Sequence, residues 1–260
     1  ALGDQREEWL TLRENHTDPE KQKIAIFLPT LAGGGAERAM ITISNGLGKK
    51  YAVDLVVSNA SGSYRDEIDN SVKVVDLKSK SLRWSFFKLI SYINSEKPDT
   101  VISALASANI VCSVARIFTK KKFKLILSER AAVIAALKDN PRWQARIMPF
   151  LIKMTYPYAD FIVCVAKEIA NELIEVFGLK NDKVKVIYNA VITEKLIEDS
   201  LKEFHNPYFD HSEIPMILGV GRLTSQKNFA SLIHAFSSIR KKHKSKLVIL
   251  GEGPLLDDLK

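Results

Sequence analysis

Apolar and polar positions along the chain keep switching between two periods. Lys23–Pro29 (KIAIFLP) is a short, β-branched apolar run of strand length, and it empties into Ala32–Ala36 (AGGGA). Glu37–Leu47 then carries apolar residues at helical spacing. The same alternation predicts strands at Ala52–Ser58, Val72–Leu77, Thr100–Ser103, Lys124–Ser128, Ala159–Val165 and Lys183–Ile187. Helices are predicted at Leu82–Ile93, Ala106–Phe118, Trp143–Tyr156 and Ala166–Phe177. Strands alternating with helices imply a parallel sheet covered on both faces. Right-handed crossovers make that an α/β, doubly wound, Rossmann-like domain.

The rhythm breaks over residues 189–214, where a weakly amphipathic helix (Thr193–Phe204) runs into the linker-like Asn206–Asp210. It restarts with strand Met216–Val220, helix Asn228–Lys241, strand Lys246–Leu250 and the turn Gly251–Pro254. Two strands make only the opening of a second doubly wound unit. The expected organisation is a polar lead-in over 1–22, a Rossmann-like domain over 23–205, a linker over 206–214 and an incomplete second domain over 215–260.

Composition narrows the class. The apolar share is that of a globular protein with a full core, and the net charge of +8 favours acidic partners such as nucleotide phosphates, nucleic acid or anionic lipid. Cys112 and Cys164 lie in apolar runs without metal-ligand spacing, so they read as reduced core residues. No apolar run is long enough to span a bilayer and the first residues form no signal-peptide core, which points to a cytoplasmic chain.

In an open parallel sheet, ligands sit beyond the carboxyl ends of the strands. Four loops share that edge: Gly33–Arg38, Ser128–Arg130, Asn189–Val191 and Gly221–Lys227. In the last, a strand, a glycine turn, two cations (Arg222 and Lys227) and a helix start make a phosphate seat. An ordinary βα turn with two solvated cations fits the same stretch. Gly33-Gly34-Gly35 lacks dinucleotide spacing, yet permits close backbone approach to a phosphate or sugar. Glu37 and Arg38 open the following helix as first-turn charges. Ser128-Glu129-Arg130, directly after a strand, reads as an exposed rim position or a helix cap. The basic runs lack interleaved aromatics, which argues against single-stranded nucleic acid, and neither a metal cluster nor a nucleophile elbow is present in the sequence.

GGGAER at 33–38, SER at 128–130, NAV at 189–191, GVGRLTSQKNF at 219–229 and GEGP at 251–254 follow one another in order. Together they resemble the retaining glycosyltransferases of the GT-B fold grouped as family 4, in particular bacterial enzymes of surface-polysaccharide, lipopolysaccharide or lipid-linked glycan assembly. The resemblance implies transfer of a hexose or N-acetylhexosamine from a UDP-linked nucleotide sugar to a glycan or lipid-linked acceptor. Arg222 and Lys227 would hold the donor diphosphate, facing Gly33, Gly34 and Gly35 across a cleft. Gly221, Gly251, Glu252 and Gly253 would border the donor. Glu37, Arg38, Ser128, Glu129 and Arg130 would line the acceptor side. No metal or other cofactor is implied. The family's Glu-x7-Glu signature would lie beyond Lys260, so these residues are expected to form an inactive fragment. Basic-apolar stretches such as Trp84–Leu89 and Arg142–Lys153 suit peripheral contact with anionic lipid on the inner face of the plasma membrane, or equally two half-buried helices. The competing readings are a non-catalytic nucleotide- or phosphate-binding module and a UDP-sugar epimerase of the same fold.

Overall fold

A computed structural model describes residues 22–32, 34–138, 143–192, 194–203, 205–206 and 214–260. Most of the polar lead-in and of the linker, together with Gly33, lies outside the described residues. Two compact units divide between Val191 and Ile192, which places the helix expected over 193–204 in the second unit.

The first unit is one seven-stranded parallel sheet. Its strands are β1 (Lys23–Thr30), β2 (Ala52–Asn59), β3 (Val72–Asp76), β4 (Thr100–Ala104), β5 (Lys124–Glu129), β6 (Phe161–Cys164) and β7 (Val184–Val186), in the order β3-β2-β1-β4-β5-β6-β7. Its helices are α1 (Gly35–Gly48), α2 (Leu82–Glu96), α3 (Ala106–Phe118), α4 (Val133–Lys138), α5 (Trp143–Thr155) and α6 (Lys167–Glu175). The chain steps one way from β1 to β3, then returns over the sheet to β4 and continues the other way. A fixed crossover hand therefore sends α1 to one face and α2, α3, α5 and α6 to the other. The two cores follow this division: Met40 and Ile41 of α1 pack on Ile24, Ile26 and Leu28. On the opposite face, Leu89, Cys112, Ile152 and Leu173 pack on Phe27, Leu125 and Ile162.

β1 and β4 are neighbours, and their connections leave in opposite directions, so the switch point of the sheet lies between them. Leu105, the residue that starts α3 there, holds a φ of 78°, a conformation disfavoured for a residue with a side chain. Ion pairs tie down the opposite edge. Buried Asp54 accepts from Tyr92 Oη (2.6 Å) and pairs with Lys23 Nζ (3.1 Å). Arg116 pairs with Asp160 at 2.6 Å, and the same carboxylate takes the Leu125 N–H.

Predicted and observed elements agree in type throughout the sheet. Two differences are local. The helix expected to run to Tyr156 ends at Thr155 and passes into a single 3-10 turn, Tyr156–Tyr158, because Pro157 cannot continue it. A short helix, α4, also precedes it, its first N–H groups at Val133 and Ile134 capped by the Glu172 carboxylate.

The second unit contains α7 (Glu194–Ser200), β8 (Met216–Val220), α8 (Phe229–Arg240) and β9 (Lys246–Leu250). β8 and β9 pair in parallel, Met216 opposite Lys246 and Val220 opposite Leu250. Phe229 and Phe236 of α8 are buried, whereas Leu218, Val220 and Leu250 remain exposed.

Candidate functional site

β5 delivers the centre of the site. Side chains alternate along a strand, so Leu125, Leu127 and Glu129 point toward α3 and α5, and Ser128 and Arg130 point to the α1 face. The expectation of an exposed rim at Ser128-Glu129-Arg130 is corrected here. Ser128 and Glu129 lie within β5 and are each 3% exposed; Arg130 is the first residue beyond the strand and is partly buried.

A set of buried donors makes the longer strand tenable. Tyr156 Oη donates to Glu129 Oε2 at 2.5 Å, and Asn109 Nδ2 approaches the same oxygen at 3.4 Å. Asn109 also donates to the Ser128 carbonyl (3.1 Å), and its Oδ1 accepts from Ser103 Oγ at 2.7 Å. Burial nevertheless dominates and pushes Glu129 up to about 7, against the pull of these donors. Burial likewise holds the Tyr156 phenol well above its ordinary value and lowers Arg130 from its own.

Arg130 gathers the rim. Its Nη1 donates to Asn189 Oδ1 beyond β7, and its Nη2 lies 2.9 Å from Met40 Sδ on α1. Two of the sequence-predicted loops of the first unit, the SER loop and the NAV loop, therefore meet at one guanidinium, with Met40 of the helix that follows the glycine loop beside them. Arg130 Nε and Ser128 Oγ are both buried and have no hydrogen-bond partner among the described residues. Such groups ordinarily find one. α1 starts at Gly35 behind the extended Gly34, with no side-chain cap. Glu37 folds back over that turn, close enough that a Cβ on Gly34 would come within 2.1 Å of its Oε2. Arg38 leans away to pair with Glu67 at 3.4 Å, both exposed.

In the second unit, β8 ends in the turn Gly221–Thr224, followed by a 3-10 turn at Ser225–Lys227. Arg222 and Lys227 are exposed, and neither side chain has an ion pair among the described residues. The Gly251–Gly253 turn braces this loop. Gly221 N–H bonds the Leu250 carbonyl (3.0 Å) and Leu223 N–H the Glu252 carbonyl (2.8 Å). A Cβ on Gly251 would lie 1.9 Å from the Gly221 carbonyl oxygen, so glycine there serves the packing of two backbones.

Asn109 and Tyr156, central to the arrangement, were absent from the sequence-predicted set. The available signal was an amide inside the apolar helix pattern ASANIVCSV. Cys112 and Cys164 are free and buried, as expected, with burial pushing both thiols up to about 12.

A model of the family described as Glycosyltransferase Family 4 matches residues 33–195. The chain is similar to the N-acetylgalactosamine-N,N'-diacetylbacillosaminyl-diphospho-undecaprenol 4-alpha-N-acetylgalactosaminyltransferase of Campylobacter jejuni, at 31% identity over 92% of this chain and 65% of that protein. It is also similar to that organism's GalNAc-alpha-(1->4)-GalNAc-alpha-(1->3)-diNAcBac-PP-undecaprenol alpha-1,4-N-acetyl-D-galactosaminyltransferase, at 29% identity over 91% of this chain and 63% of that protein. Among solved structures, Anabaena HepE in complex with UDP-glucose matches with a TM-score of 0.65 at 15% identity, covering 88% of this chain and 60% of that one. The chain thus spans slightly under two thirds of the length of these proteins.

Proposed function

The chain belongs to glycosyltransferase family 4 and has the GT-B fold, and on that premise we propose that it serves transfer of a hexose or N-acetylhexosamine from a UDP-linked sugar to a lipid-linked glycan, with retention of configuration. The observation that carries this reading is the convergence of the glycine-loop helix, the SER loop and the NAV loop on Arg130, inside the family-matched segment. Arg130 takes the acceptor side. Arg222 and Lys227 take the donor diphosphate, where negative charge grows as the glycosidic bond breaks and fixed cations help most. The neighbour's bound UDP-glucose and the relatives' undecaprenyl-diphosphate substrates support the choice of donor and acceptor.

The acceptor's lipid brings the first unit to an anionic membrane surface. Trp84 and Phe87 on α2, each 66% exposed, stand one helical turn apart beside exposed Arg83. Phe86 stacks edge-on against Phe87 and against exposed Phe118 of α3, and exposed Lys120 and Lys122 follow Phe118. Aromatic rings flanked by cations suit an interfacial position. None of the described helices is long and apolar enough to cross a membrane.

The test is transfer from UDP-N-acetylgalactosamine and UDP-glucose to an undecaprenyl-diphosphate-linked N-acetylgalactosamine acceptor, using the complete protein. Arg222→Ala and Lys227→Ala should each lower donor affinity at least tenfold, about 1.4 kcal/mol. Donor binding by both variants equal to the parent's would refute the placement of the diphosphate.

A further inference from the structure

We propose that Glu129 is a positioning residue for this rim: its buried carboxyl, gripped by Tyr156 and Asn109, fixes the backbone where β5 ends and so holds the Arg130 guanidinium between Met40 and Asn189. The inference rests on the reading of Arg130 as a substrate-facing residue and adds what aims it.

Glu129 and Arg130 project to opposite faces of the sheet, so their side chains are not paired directly. The coupling runs through the main chain. Tyr156 and Asn109 hold the Glu129 carboxyl, Asn109 also donates to the Ser128 carbonyl, and the Glu129 carbonyl takes the Val165 N–H at 3.4 Å, so the main chain that leads into Arg130 is fixed from both neighbouring layers. A carboxyl is a costly way to fill this space, since an apolar residue would pack without desolvating a charge. What an apolar residue lacks is an acceptor for two donors, one arriving from α3 and one from the turn after α5. The pin is also backed from behind, because Ser103 Oγ donates to Asn109 Oδ1 and fixes the orientation of that amide.

The surroundings make the pin sensitive to protons. Tyr156 and Asn109 favour the carboxylate; Glu172 of α6 opposes it, and Cys164 of β6 faces the same cluster. Arg130 is the adjoining cation. Protonation converts one acceptor oxygen into a donor, which loosens the hold of Tyr156 and Asn109 together and with it the strand end that leads into Arg130. Arg130 then loses its fixed aim while Asn189 and Met40 stay in place.

The experiment is NMR of the full chain, following the Arg130 backbone amide and its side-chain Nε–H from pH 5 to pH 8. Both signals should titrate together, with a midpoint matching that of the Glu129 carboxyl carbon. In Glu129→Gln both should sit near their low-pH positions and cease to titrate. Tyr156→Phe, which removes a donor to the carboxylate, should raise the midpoint. Arg130 signals indifferent to pH in the parent, or unmoved by Tyr156→Phe, would overturn the proposal even if Glu129→Gln fails to fold. In transfer assays Glu129→Gln should raise the acceptor KM more than it lowers kcat, and a fall in kcat alone counts against positioning. Coupled Arg130 signals in a complete protein that transfers no sugar would sink the functional reading and leave the pin standing.

Discussion

Arg130 donates to Asn189 across 59 residues of sequence, joining the end of β5 to the end of β7 with β6 between them. Asn189 itself is exposed, so this bond organises more than it stabilises. Asn189→Ala should cost about 1 kcal/mol or less, while amide exchange over residues 188–191 rises clearly. Asn189→Asp keeps an acceptor for the guanidinium and should restore protection. Unchanged exchange in the alanine variant would show that the loop is held by something else.

Glu129 gives stability a defined pH dependence. An ordinary glutamate titrates at 4.5, whereas Glu129 is held at about 7. Between those values the folded chain keeps a proton that the unfolded chain has released, so stability falls as pH rises. The contribution is complete below 4.5 and lost above about 7, a change of up to about 3 kcal/mol. Urea unfolding of parent and Glu129→Gln at pH 5 and pH 8 should show the variant gaining on the parent at the higher pH. A gap that does not move with pH contradicts this.

Tyr92 and Asp54 form the matching polar contact at the opposite edge, 2.6 Å apart and both buried. Tyr92→Phe leaves the carboxylate with Lys23 but removes its buried hydroxyl donor. The expected loss is about 1–3 kcal/mol with an unchanged denaturant slope. Catalytic constants should not follow, since the contact lies at the far edge from the rim.

Gly251→Ala tests the brace beneath the Gly221–Lys227 loop. The added methyl would meet the Gly221 carbonyl at 1.9 Å, and neither side of that contact is a side chain that can swing away. We expect a cost of about 1–3 kcal/mol, appearing as lost amide protection over residues 216–223. Donor affinity should weaken with it although no cation has been touched.

For the aromatic face, Trp84→Ser with Phe87→Ser should reduce binding to phosphatidylserine-containing vesicles by about tenfold or more. Added salt should weaken the parent's binding further through Arg83, Lys120 and Lys122. Vesicle binding insensitive to the double substitution places the lipid contact elsewhere.

The sheet was legible because its strands are short apolar runs and its helices carry a clear 3.6-residue period, from Lys23–Thr30 to Lys246–Leu250. The rim was legible as loops, since glycines and charges follow strands there. What the sequence hid was depth. Ser128 and Glu129 looked like polar residues ending a strand, and only the arrival of Asn109 from α3 and of Tyr156 from the turn after α5 allows Glu129 to be buried. Met40 was equally hidden, because nothing local marks a helix sulfur as the neighbour of Arg130. α4 escaped because its cap comes from Glu172, far along the chain.

The strand order has a kinetic corollary. Met40, Arg130 and Asn189 can meet only once β4 has joined β1 and β5, β6 and β7 have been added outward from it in turn, and each addition closes a crossover before its contacts repay it. Refolding chains should regain helix signal early and Arg130–Asn189 contact last, so competence to engage an acceptor reports that the sheet's outermost strand has docked.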